Sequence, residues 1–156
     1  MRTLLGGITL LAVLLPNGWM DASKMQTQKL QHGSSIIVSV RVTPDGKQFV
    51  SASTDGTVIM WNAQTGKRLW QVDLDEKPKT KERYTISQIL GMDLSPDGNT
   101  VAVSYSRSRV ISNRLEGKSE YRIGLLNARD GLERQALLGH TALIGRVAFS
   151  HDGRLL

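Results

Sequence analysis

The stretch "RVTPDGKQFVSASTDGTVIMWNAQTGKRLW", residues 41–70, decides the fold. Short apolar runs alternate with polar residues and are separated by Pro-Asp-Gly, Thr-Asp-Gly and Gln-Thr-Gly. Such runs are too short for ordinary helices, and Asp-Gly between alternating runs is a hairpin signal, because glycine supplies the positive φ that tight turns need. The stretch and its flanks read as strands at 36–43, 48–53, 57–62 and 67–73.

The same phrases recur. "VSVRVTPDGKQF" (38–49), "LGMDLSPDGNTV" (90–101) and "GRVAFSHDGRLL" (145–156) each place an alternating run before an Asp-Gly turn. The residues preceding Asp-Gly are Pro44, Pro96 and His151, at intervals of 52 and 55 residues. A second phrase, "TVIMWNAQTGKRLW" (57–70), returns as "YRIGLLNARDGLERQ" (121–135). Each period therefore holds four strands, a to d. The second unit has them at 88–94, 100–105, 121–127 and 132–138, and the third opens with strand a at 143–149. After the amino end no run keeps a 3.6-residue period, so the chain reads as all-β.

These units resemble the WD-repeat β-propeller, whose blades are four-stranded antiparallel sheets. Gly139-His140 matches the Gly-His phrase ahead of strand a, His32 stands at the corresponding place before the first unit, and Trp61-Asn62 replaces the Trp-Asp that closes strand c. The resemblance covers residues 19–156 and implies an incomplete β-propeller. It divides the chain into a signal-like apolar segment or degenerate leader (1–18), the tail of a preceding blade (19–35), a first blade (36–74), a basic insertion (75–87), a second blade (88–138) carrying a further insertion at 106–120, and a truncated third blade (139–156). A ring needs about four blades or more, so further blades are expected outside this chain.

His32, Ser51 and Asp55 are the residue types of a hydrolytic triad, but nothing nearby suggests an oxyanion hole. The resemblance implies a structural role instead: His32, Ser51 (or Ser53), Asp55 and Trp61 joined in a buried hydrogen-bond chain. Such a chain satisfies groups that would each cost about 1–3 kcal/mol if buried unpaired. The second unit lacks it, since Leu126-Asn127 replaces the Trp phrase, and is expected to be looser, held by Ile89, Leu94, Val101, Val103, Ile123 and Leu125.

No catalytic, cofactor or metal site is expected. Gly-Lys-Ser at 117–119 lacks the upstream glycine of a phosphate loop, and His32, His140 and His151 have no ligand spacing. His151 takes the place of a turn proline and is expected in solvent.

The chain of 156 residues has no cysteine, carries a net charge of +6 and has a pI near 9.9. "MRTLLGGITLLAVLLP" (1–16) is long enough for a signal core and too short to span a bilayer, so no transmembrane helix is expected. Export follows if residues 1–22 are a signal peptide and a cytoplasmic location otherwise; "AVLLPNG" (12–18) also fits a worn repeat.

Two stretches exceed the usual period: "DLDEKPKTKERYTIS" (73–87) and "SRSRVISNRLEGKSE" (106–120). Strand order sends both to one side of the propeller as loops. They carry Lys77, Lys79, Lys81 and Arg83 in one and Arg107, Arg109, Arg114 and Lys118 in the other, with Tyr84, Tyr105 and Tyr121 at their bases. The expected function is a non-catalytic scaffold whose basic patch meets an acidic protein partner. The alternatives are a regulatory or sensor module appended to an enzyme, or a weak nucleic-acid binder; the last is disfavoured because no stacking aromatics interleave with arginines. Arg41 and Asp93, each three residues before its turn marker, are expected to pair across the blade interface.

Overall fold

The computed structural model describes residues 35–74, 82–111 and 114–156. The leader, the tail of a preceding blade and His32 lie outside those residues, as do Lys77, Lys79 and Lys81. Eight strands form two antiparallel sheets: β1 (Ile37–Val42), β2 (Gln48–Ser53), β3 (Thr57–Asn62) and β4 (Arg68–Asp73) in one, and β5 (Glu82–Leu94), β6 (Thr100–Ile111), β7 (Arg114–Asn127) and β8 (Glu133–His140) in the other. Each sheet is ordered as its strands follow in sequence, and the two are open rather than closed on themselves. Among the described residues no helix is long and apolar enough to cross a membrane.

The hairpins form where the turn chemistry dictates. Asp45 Oδ1 accepts from Thr43 Oγ1 at 2.7 Å and from the Lys47 amide at 3.0 Å, while Gly46 turns at φ 69°. Asp97 repeats this with Ser95 and Asn99, and Asp152 with Ser150 and Arg154. The hydroxyls of Thr43, Ser95 and Ser150 hold the three carboxyls below the usual carboxylate range. Successive turns also touch: a methyl added at Gly98 would lie 3.0 Å from Pro44 Cδ, and one at Gly153 would lie 3.5 Å from Pro96 Cδ.

The asparagine of each Asn-Ala phrase caps the next turn. Asn62 Oδ1 accepts from the amides of Gln64 and Thr65, and Asn127 Oδ1 from that of Arg129. Asparagine serves there as aspartate would, by mimicking a backbone acceptor.

The pleat sorts side chains by parity. Val50, Ala52, Val58 and Met60 face the second sheet and meet Ile89, Met92, Leu94, Val101, Val103 and Leu126 in one buried cluster. Phe49, Ile59, Trp61 and Ala63 form a separate cluster on the reverse face, with the Phe49 and Trp61 rings stacked at 6.0 Å. Each fully buried aliphatic side chain contributes about 1.5–3 kcal/mol, so the seam between the sheets carries most of the core. Trp70 of β4 closes it by donating Nε1 to Ala128 O at 2.8 Å. Its ring lies where a methyl on Gly131 would stand, 2.7 Å away.

Two expectations need correction. The segments at 82–87, 106–111 and 114–120 are not loops; their backbones continue the ladders of β5, β6 and β7. Residues 143–149 form no strand ladder. The Ser150–Leu155 turn does form, with the Ser150 amide donating to Leu155 O at 2.9 Å.

Candidate functional site

The second blade outgrows the first. Strands of six residues become strands of 13, 12 and 14 in β5, β6 and β7. β8 leaves the sheet at the Tyr121↔His140 pair, so the extension beyond it is three-stranded. Its register sets Arg83 opposite Val110, Tyr84 opposite Arg109, Arg109 opposite Glu116, and Ile111 opposite Arg114. At roughly 3.3 Å per residue, the stretch from Arg107 to Ile111 reaches about 13 Å past the blade body. Arg83, Tyr84, Arg109, Arg114 and Lys118 therefore occupy positions on strands, in a sheet whose acidic residues interleave with the basic ones.

Arg107 has a local counter-ion. Its Nε donates to Glu120 Oε2 at 2.8 Å across the β6–β7 pair, and its side chain is only 17% exposed. Glu120 also lies 4.0 Å from Arg122, whose NH2 donates to Glu133 Oε1 at 2.5 Å. Tyr105 completes the group, donating its hydroxyl to Glu133 Oε2 at 2.7 Å beneath the Arg122 guanidinium. Burial, then the hydrogen bond to Glu133, pushes the Tyr105 phenol far above its ordinary pKa, so it stays a neutral donor. Gly124 makes room, since a methyl there would stand 2.6 Å from Glu133 Oε2 and 3.0 Å from Tyr105 Cε1. The second blade is thus not merely held by apolar packing. A charged network ties β6, β7 and β8 together at the root of the extension.

Of the expected hydrogen-bond chain, Trp61 Nε1 donates to Ser51 Oγ at 2.8 Å in a fully buried setting. Asp55 sits in the turn between β2 and β3 and accepts the Thr57 amide at 3.0 Å. Partial burial pushes its carboxyl up, but hydrogen bonds from Thr57 and Ser35 outweigh that and hold it below the usual range. His32 falls outside the described residues; among the described residues the Ser51 hydroxyl accepts from the Trp61 indole.

On the inner strands Arg41 Nε meets Asp93 Oδ1 at 2.8 Å, the expected pair across the blade interface. Asp93 does more than the sequence suggested: its Oδ2 accepts the Phe149 amide at 2.8 Å. One carboxylate therefore binds all three units. Burial raises the Asp93 carboxyl, while Phe149 and Arg41 together bring it below the usual range.

Comparison with known proteins follows the same lines. The family model described as WD40, "WD domain, G-beta repeat", matches residues 24–62. An uncharacterized WD repeat-containing protein of Synechocystis is 23% identical over 130 residues, 83% of this chain and 30% of that protein. The tRNA (guanine-N(7)-)-methyltransferase non-catalytic subunit wdr4 of Danio rerio is 38% identical over 77 residues, 46% of this chain and 18% of its own. Small ribosomal subunit protein RACK1 of Neurospora crassa is 25% identical over 116 residues, 69% and 33% of the two chains. The matches thus span a third or less of each relative. The crystal structure of the WD40 β-propeller domain of Doa1 superposes with a TM-score of 0.53 at 17% identity, over 78% of this chain and 33% of that one. Two four-stranded sheets in repeat register, joined at their inner strands, agree with these likenesses: the chain carries a WD-repeat match at residues 24–62 and has the fold of consecutive WD40 propeller blades.

Proposed function

We propose that the chain acts as a non-catalytic protein-binding scaffold whose contact surface is the three-stranded extension of the second blade. WD40 repeats serve generally as protein-interaction scaffolds. The observation that carries the finer reading is the continuation of β5, β6 and β7 past the blade body, which carries the ladder well beyond the end of β8. A paired sheet is ordered before binding, and a pre-ordered surface loses less entropy on association than a loop would. Arg83, Arg109, Arg114 and Lys118 lie along it, and Lys77, Lys79 and Lys81 precede it in sequence, which favours an acidic protein as partner. Arg107 plays a supporting part, since Glu120 already neutralises it. Two relatives are, by their names, subunits of larger assemblies, in keeping with such a role.

The test is a photo-crosslinking residue at Glu116, in the otherwise wild-type chain and in a variant with Arg83, Arg109, Arg114 and Lys118 reversed to glutamate. A protein adduct lost in the variant supports the reading; an adduct that survives the reversal ends it. Titration with random-sequence DNA across a salt series tests the nucleic-acid alternative, which requires an affinity that falls steeply with salt.

A further inference from the structure

Between the edge strands β1 and β5 and the segment 145–147 lies a cavity of about 380 Å³, lined in part by Ser39, Arg41, Met92, Gly145 and Arg146. Its construction repeats. β1 carries an extra residue at Val38, where the pairing with β2 steps from Ile37 to Ser39, and β5 carries one at Leu90, where the pairing with β6 steps from Ile89 to Gly91. Both extra residues line the cavity. A bulge leaves its extra residue outside the ladder and re-aims the strand, so two edge strands bulging at equivalent positions open polar backbone toward one space.

Charge gives that space a sign. Arg41 is fixed on the cavity wall: Nε is held by Asp93, and NH1 donates to Val40 O at 3.0 Å and to Ser39 Oγ at 3.3 Å. Asp93 already accepts on both oxygens, Oδ1 from Arg41 and Oδ2 from the Phe149 amide. Arg146 is exposed and has no counter-ion among the described residues. It stands opposite Gly91, where a methyl would come within 3.0 Å of Arg146 Cα, so glycine permits the close approach that brings the second guanidinium to the rim. The balance is two guanidiniums against one carboxylate.

We infer that this cavity is a carboxylate-binding site, which takes the acidic side chain of a peptide between Arg41, held rigid by Asp93, and Arg146, which has no counter-ion among the described residues. Planar, forked guanidinium donors match a carboxylate better than a point charge does. The site is separate from the extension proposed above as the partner surface, and either assignment can fail without the other.

The experiment is fluorescence anisotropy of labelled hexaglutamate on the full chain, with hexaglutamine of the same length as control. Arg146→Gln removes no ion pair among the described residues and is expected to weaken hexaglutamate binding about tenfold or more, the effect of one charge-assisted hydrogen bond. Arg146→Lys is expected to restore part of the loss. Lys67→Gln, in the exposed turn between β3 and β4, is expected to leave the affinity unchanged, and Arg114→Glu with Lys118→Glu, on the extension, separates the two surfaces. Equal binding of hexaglutamine, absence of hexaglutamate binding to the wild type, or full affinity in Arg146→Gln would each overturn the inference. If the extension variant alone loses binding, the acidic ligand belongs to the extension, and the cavity assignment falls while the proposed function stands.

Discussion

The first and second blades share a backbone plan and bury polar groups in different ways. In the first, Trp61 and Ser51 settle the matter with one neutral hydrogen bond among apolar neighbours. In the second, the equivalent register positions are Leu126 and Val103, and the polar groups move outward to Tyr105, Arg122 and Glu133. Glycine at 124, where the first blade has Ile59, clears the space. Neutral pairing is cheap to bury and suits strands that end with the blade body. A charged network costs more desolvation, but it fixes three strands together just where β6 and β7 must continue into water.

The contrast is open to direct attack. Glu133→Ala should have the largest effect, because Arg122, with a side chain 8% exposed, would keep its charge and lose its acceptor. Breaking a buried pair from one side costs about 3–5 kcal/mol, to be read as a lowered urea midpoint. A loss under about 1 kcal/mol would show that the network is solvated and the comparison misdrawn. Trp61→Phe should cost about 1–3 kcal/mol, since the Ser51 hydroxyl would be left buried without its donor. The same replacement logic predicts that pairing Trp61→Phe with Ser51→Ala recovers part of that loss.

The Arg41–Asp93 pair should matter least, because Arg41 is 46% exposed and solvent screens it. A double-mutant cycle is expected to give about 0.5–1 kcal/mol of coupling, and zero coupling would detach the two blades electrostatically. Acid should reveal the aspartates collectively. Asp45, Asp55, Asp93, Asp97 and Asp152 all have folded pKa values below their ordinary one. Their stabilisation is complete above the unfolded value near 4 and is lost as pH falls through the folded values. Melting temperature should therefore hold on descending toward pH 5 and drop below about pH 4.

The strands of the first unit were legible because their turns are spelled out: Asp-Gly and Thr-Gly demand positive φ, and the runs between them alternate cleanly. The Arg41–Asp93 pair was legible from equal offsets to the turn. The extension was not. "ERYTIS" and "SRSRV" pair in a sheet without the regular apolar alternation that marks a half-buried strand, and alternation is what reveals a strand. Their threonine, tyrosine, isoleucine and valine are at home in β structure, a weaker signal that the charges masked. The network around Glu133 was equally hidden, because pairing Arg107 with Glu120 needs the register of a hairpin that the sequence presents as an insertion. Residues 143–149 were misplaced for the opposite reason: their alternation is sound, but a strand needs a neighbour to form a ladder.

Gly98 and Gly153 each lie beside the proline of the turn before, a proximity that acts as a gauge of how closely one unit follows the next. The repeat interval nevertheless changes from 52 to 55 residues. Length variation must therefore be discharged at the opposite end of the sheets, where β6 turns into β7 and β4 leads toward β5. A chain built this way can acquire new surface by insertion on one rim while the other rim keeps its units in step.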